Sequence, residues 1–301
     1  MSKQSYLAAV LGLCSALLAT GATAEDGVIY KKGYVDGPYG QIHYHSARPE
    51  FGDGDKTPVV LFHQNPKSAE EYRPLTELIG RDRVAFAFDT PGYGESDRPD
   101  SPPDMVGISG AMADALEALE YGEGGKGKVD VFGFHTGVFI ASELALRRPD
   151  LVRRVVLSGI AYRPQEYRDE RLASLPKDKP LPEDGTFVLS RWHLMVTNRP
   201  EGVSLERASK IFLEDIDSLD KSWYAYDAVW TYKPEDRFPK ITQPVLVLQP
   251  HEMLTQQTLN AQRELLPKSD LIEIPEITES VFETGPEEIS FALTTWLDTP
   301  K

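Results

Sequence analysis

His135 stands between two glycines, in Val129-Asp130-Val131-Phe132-Gly133-Phe134-His135-Thr136-Gly137-Val138-Phe139-Ile140-Ala141. It marks the point where an apolar, β-branched run gives way to an Ala- and Leu-rich stretch. The first reads as a buried strand and the second as a helix. Gly133 and Gly137 permit a tight reversal between them, because a Cβ at either place would crowd the backbone. Such an elbow lifts its middle side chain out of the sheet and aims the first amides of the helix at whatever binds there. The partial positive charge of a helix N-terminus disfavours an imidazolium, so a neutral ring is expected. A neutral imidazole can attack an acyl or phosphoryl group, activate a water or ligate a metal. His43 and His45, two residues apart, share one face of a strand. A solvated edge hairpin is the expected reading there, ahead of a metal site.

The elements that must hold His135 follow from periodicity. Residues 27–35 and 39–46 alternate apolar and polar side chains around Asp36-Gly37-Pro38, a hairpin pattern. Residues 57–63, 84–89 and 152–157 are short apolar runs of the kind buried on both faces of a parallel sheet. Helical spacing covers 68–79, with Ser68 as N-cap and Glu70 and Glu71 in the first turn, and also 108–121. From 161 to 240 the chain turns to helical periodicity rich in Pro, Arg, Glu and Asp, and carries Trp192, Trp223 and Trp230. Alternation resumes at 244–248, 255–266, 270–274 and 286–297. The pattern predicts an α/β fold with a mostly parallel central sheet and helices on both faces. Its core comprises residues 25–160 and 241–301, and a helical cap, residues 161–240, enters before the last two strands.

Apolar residues at 41% and charged residues at 26% of a 301-residue chain suit an ordinary globular protein. A net charge of −15 argues against nucleic acid and anionic membrane surfaces as partners and reads as a solvated acidic surface. At the N-terminus, Lys3, an apolar run over 6–18 and Ala22-Thr23-Ala24 have the form of a cleaved signal peptide. Export to the periplasm or the medium is therefore expected, with cleavage before Glu25. The apolar run is too short for a permanent membrane anchor, and Leu11-Gly12-Leu13-Cys14 makes a poor lipoprotein box. Cys14, the sole cysteine, would leave with the signal, excluding disulfides and thiolate chemistry. No glycine-rich dinucleotide or phosphate motif is present, so no cofactor is expected.

Four stretches, in order and at fitting distances, resemble the α/β-hydrolase superfamily. His63-Gln64-Asn65-Pro66 is similar to the H-G-x-P loop, and the Asp89–Asp97 segment, Asp-Thr-Pro-Gly-Tyr-Gly-Glu-Ser-Asp, to the D-x-x-G-x-G-x-S turn. Gly133-Phe134-His135-Thr136-Gly137 occupies the G-x-S-x-G nucleophile elbow, with His135 where that family has serine. Arg147-Arg148-Pro149-Asp150-Leu151-Val152 and Val156-Leu157-Ser158 are similar to the following helix end and strand. The resemblance implies that the acid position falls at Glu252, after the strand Pro244–Leu248. It also implies that Glu279 occupies the place of the family's last histidine, since no histidine follows His251. A Ser-His-Asp relay cannot be assembled from these positions.

What the resemblance implies instead is an atypical member with a His135-centred site. His135 would serve as nucleophile or general base on a small ester-like substrate, with Glu252 and Glu279 as orienter or base. The amides of Gln64 and Thr136 would form the oxyanion hole, and His63, Trp192 and His193 would approach the substrate. His193, in the cap, is the candidate for a missing relay histidine. Asp89 is expected to be structural. Two alternatives remain open: a catalytically inactive, ligand-binding protein on the same scaffold, and a metal site built from His135, Glu252 and Glu279.

Overall fold

Short runs of apolar residues form the strands here because both of their faces are covered. A computed structural model describes residues 27–177, 183–218 and 222–300. The signal-like segment and Cys14 lie outside the described residues. A long hairpin, β1 (Val28–Gly37) and β2 (Gly40–Pro49), leads into β3 (Val59–Phe62). A 3-10 turn (Ala69–Tyr72) and α1 (Arg73–Ile79) follow, then β4 (Ala85–Phe88), α2 (Met105–Ala118), β5 (Val129–Phe134), α3 (Thr136–Arg147) and β6 (Val152–Ser158). Ser68 caps the 3-10 turn as expected, its hydroxyl accepting from the Glu70 amide at 3.1 Å. Next come α4 (Gln165–Ala173), α5 (Thr186–Trp192), a π-helical turn (His193–Thr197), α6 (Leu205–Asp217), α7 (Trp223–Thr231) and α8 (Pro234–Arg237). The chain closes with β7 (Val245–Pro250), α9 (Thr255–Leu265), β8 (Asp270–Ile274), α10 (Val281–Thr284) and α11 (Pro286–Asp298).

The eight strands form one sheet in the order β1-β2-β4-β3-β5-β6-β7-β8. The β1–β2 and β2–β4 pairings are antiparallel and the rest are parallel. Side chains alternate between two cores, as period-2 geometry requires. On one face Val60, Phe62, Val129, Val131 and Val247 pack with α2, α3 and α9. On the other, Val59, Leu61, Phe132, Phe134 and Leu248 pack with α1, α10 and α11. The expected α/β architecture with helices on both faces is the observed one. No helix among the described residues is long and apolar enough to cross a membrane.

The expectation of a solvated edge hairpin around His43 and His45 is corrected. β2 lies inside the sheet between β1 and β4, which buries both rings, at 1% and 2% exposure. His43 Nδ1 lies 2.7 Å from Asp89 Oδ2, and the Tyr30 hydroxyl 2.6 Å from His45 Nδ1. Burial pushes the His45 ring down to about 3, so it is neutral and its Nδ1 accepts from the tyrosine. Asp89 also accepts from the amides of Ala69 (2.6 Å) and Glu95 (2.8 Å), which pins the start of the 3-10 turn and the glycine-rich turn after β4. It is structural, as expected.

The elbow glycines have the steric reason expected of them. A Cβ on Gly137 would stand 1.8 Å from the Phe62 carbonyl oxygen, and one on Gly133 2.2 Å from that of Gly137. The first turn of α3 therefore lies directly on the end of β3. Gly137→Ala should cost roughly 3 kcal/mol of unfolding free energy, the upper range for forced overpacking. Gly110→Ala in α2, where a Cβ meets nothing within 4 Å, should instead add about 1 kcal/mol. Urea denaturation of the two variants checks both signs.

Candidate active site

The turn from β5 into α3 forces His135 into φ 49°, ψ −108°, a conformation that a side chain other than glycine adopts only under constraint. The His135 amide donates to the Ser158 carbonyl at 3.1 Å, and its own carbonyl accepts from the Val138 amide at 3.1 Å. The imidazole stacks on Phe134, with ring centroids 4.1 Å apart and planes 20° from parallel. Across the ring sits Gly159, where a Cβ would fall 2.3 Å from His135 Cδ2. Strand, helix and a bare glycine thus hold the ring in one place.

Glu252 meets it there. The turn after β7 brings Glu252 Oε2 to 3.2 Å from His135 Nε2, and the Leu254 amide donates to the same oxygen at 2.9 Å. The carboxylate can only accept, so this bond puts the ring proton on Nε2 and leaves the Nδ1 lone pair free. Glu252 Oε1 is buried without a hydrogen-bond partner among the described residues. Its side chain is 5% exposed, whereas that of His135 is 17% exposed and reaches a cavity.

That cavity, of about 260 Å³, is lined on its polar side by Gln64, Lys67, Glu71, Glu252, Glu279 and Glu283, with Phe134, Ile211 and Met253 supplying apolar wall. Three predicted catalytic side chains, His135, Glu252 and Glu279, share it. His135 and Glu252 are in direct contact, and Glu279 stands exposed on the rim. Among the described residues no group of three His, Cys, Asp or Glu side chains converges closely enough to hold a metal ion, so the metal reading of these three is corrected.

The Gln64 half of the predicted oxyanion pair is corrected as well. The Gln64 amide donates to Glu71 Oε1 at 3.0 Å and the Gln64 side-chain amide to Glu71 Oε2 at 2.8 Å, so the carboxyl group itself occupies that donor. Thr136 begins α3, but does not line the cavity; its hydroxyl accepts from the Asn65 amide at 3.3 Å. His63 is buried behind the site rather than lining it. Its Nδ1 lies 2.8 Å from the Gln64 carbonyl and its Nε2 accepts from the Thr90 amide at 3.0 Å, so both nitrogens are committed. Burial pushes this ring down, in keeping with a neutral structural residue. Trp192 packs edge-on against Phe212, and both Trp192 and His193 are exposed and do not line the cavity.

Two residues on the cavity wall were not singled out from sequence. Glu71 reads as an ordinary first-turn acid, yet it is 6% exposed, and burial pushes its carboxyl up to about 7 against the opposing pull of the two Gln64 hydrogen bonds. Lys67 is buried enough that desolvation pushes its ammonium down, opposed by Asp215 and Glu71. The signal that could have found both is their position just after the His63–Pro66 loop that the resemblance sets opposite the elbow. The Arg207 guanidinium of α6 closes one side, bonding Glu283 at 2.6 Å and Glu70 Oε1 at 2.7 Å.

A model of the alpha/beta hydrolase fold matches residues 57–286. The (E)-2-((N-methylformamido)methylene)succinate hydrolase of Acinetobacter baylyi is 25% identical over 262 residues, covering 83% of this chain and 93% of that protein. The crystal structure of an E-2-(acetamidomethylene)succinate hydrolase superposes with a TM-score of 0.69 at 19% identity, covering 90% of this chain and 100% of the other. A hydrolase from Pseudomonas aeruginosa does so with a TM-score of 0.69 at 18% identity, covering 89% and 99%. These structural likenesses concern the fold.

A buried carboxyl whose native value is raised binds its proton more tightly when folded. Its contribution is therefore complete below the unfolded value of about 4.5 and is lost as pH rises through about 7. Replacing Glu71 by Gln should flatten the fall in stability between pH 5 and pH 8. Urea midpoints of the two proteins at both pH values check this, and parallel pH profiles would refute it.

Proposed function

Because the chain belongs to the alpha/beta hydrolase fold family, we propose that it hydrolyses a small acyl compound by a route centred on His135. The observation that carries this is the His135–Glu252 contact at a strained elbow opening on a cavity of small-molecule size. Relatives named as hydrolases of amidomethylene succinates support a small acyl substrate. In this reading Glu252 holds the Nε2 proton and fixes the ring, and Nδ1 acts as general base. Nδ1 takes a proton from water as the water oxygen bonds to the acyl carbon. The bond from that carbon to the leaving group then breaks, and the imidazolium returns its proton to the leaving atom. Glu252 stabilises the imidazolium between these steps, as the acid of a triad does. Serine is bypassed, and the relay is one group shorter. We locate the reaction outside the cytoplasm on the strength of the signal-like residues 1–24.

One observation favours a second reading. Glu71 occupies the Gln64 amide that would otherwise face an oxyanion, which suits a protein that binds its ligand without turnover. Residues 25–301, assayed on short-acyl esters, lactones and thioesters, discriminate the two. His135→Ala should lower turnover by about 10²-fold or more with its melting curve unchanged. Glu252→Gln should lower it by about 10- to 100-fold. Equal rates in the parent and the His135→Ala variant would overturn the general-base reading. Ligand-dependent melting without turnover in either would establish the binding reading.

A further inference from the structure

The end of β5 sets two rings side by side. The Phe134 ring lies nearly parallel to the His135 imidazole, with centroids 4.1 Å apart and planes 20° from parallel. Phe134 is 3% exposed, and Phe282 of α10 stands against it at 80° with centroids 4.9 Å apart. Phe282 is held in turn by Tyr72, at 4.6 Å and 65°. A Cβ on residue 159 would fall 2.3 Å from His135 Cδ2 and 3.2 Å from Phe134 Cε2, so Gly159 makes room for the edges of both rings. The stack is therefore built into the fold. It also meets an electrostatic need. General-base action puts a positive charge on the imidazole at the N-terminus of α3, whose own partial positive charge disfavours a cation. Glu252 opposes this through one oxygen, which is shared with the Leu254 amide at 2.9 Å.

We propose that Phe134 is a positioning residue whose π face stabilises the imidazolium of His135 as it forms. This rests on the hydrolytic reading above and adds a second stabiliser to Glu252. The face of a phenyl ring carries the negative part of its quadrupole. A parallel imidazole therefore gains from that face once it is charged, and far less while it is neutral. The contact is stronger in the charged intermediate than in the ground state, which is the condition for accelerating the step. The His135 side chain is 17% exposed, so little water competes for the charge. An aliphatic side chain of similar volume would fill the same space without supplying the field.

Replacing Phe134 by mono-, di- and trifluorinated phenylalanine keeps the ring and drains its face of negative charge step by step. Along that series kcat on a short-acyl ester should fall by about three- to tenfold in total, with KM unchanged, because the charge arises only after the substrate is bound. Phe134→Leu should lower kcat about as far as the trifluorinated protein. A second readout needs no turnover. Methyl p-nitrobenzenesulfonate methylates the free Nδ1: the nitrogen lone pair bonds to the methyl carbon, the bond from that carbon to the sulfonate oxygen breaks, and a cationic ring remains. The rate of this reaction at His135, followed by peptide mass, should decline along the series in step with kcat. The rate at exposed His193 in the same molecule should stay constant. Melting curves of the fluorinated proteins should coincide with that of the parent, which separates a lost field from lost folding. Equal kcat and equal methylation rates across the fluorinated series would overturn the proposal and leave Phe134 a space-filler. Methylation that declines along the series, in a protein that hydrolyses no ester, would keep the stack and remove hydrolysis.

Discussion

The left-handed turn at His135 is the constraint on which the site depends. It exists because β3, β5 and α3 approach more closely than any side chain permits, and glycine at 133 and 137 is what makes that approach possible. A third glycine, at position 159 with φ 67°, comes from the end of β6 and leaves just enough room for an imidazole edge. The ring is thus positioned by backbone rather than by a flexible side-chain cage. Positions held by the fold in this way are the ones at which strain serves chemistry.

Around that fixed ring the electrostatics are arranged by pairing. Four carboxyl groups line a cavity of about 260 Å³, which would be unstable if all were bare. Glu252 faces the ring and the Leu254 amide, Glu283 faces Arg207, and Glu279 stays in solvent. Glu71 is carried by the two nitrogens of Gln64 and by a carboxyl value high enough to share a proton near neutrality. Arg207 does more than neutralise. It joins α6 to the 3-10 turn and to α10, so the wall is fastened across three segments distant in sequence.

The strands were legible because their apolar runs are continuous, and the elbow because two glycines four apart bracket it. Glu252 was legible through its place after β7. The misreadings share a cause: each required knowing what lies alongside. The β1–β2 hairpin alternates in sequence like an edge, but β2 pairs with β4, which buries His43 and His45. The Gln64 amide looks available until the 3-10 turn carries Glu71 back over it, seven residues later. Trp192 and His193 share a helical pattern that says which residues lie on one face, but not that this face looks outward. The four-residue α10, which helps wall the cavity, is too short to show a period at all.

The commitments of the remaining histidines also bear on what a serine at the elbow would need. A single change of His135 to serine would recreate a hydroxyl at the elbow without creating a partner to take its proton. His63 has both nitrogens engaged within the scaffold, His193 faces solvent, and Glu279 stands where a relay imidazole would be needed. A hydroxyl at the elbow would therefore need a second substitution, one that brings an imidazole within its reach.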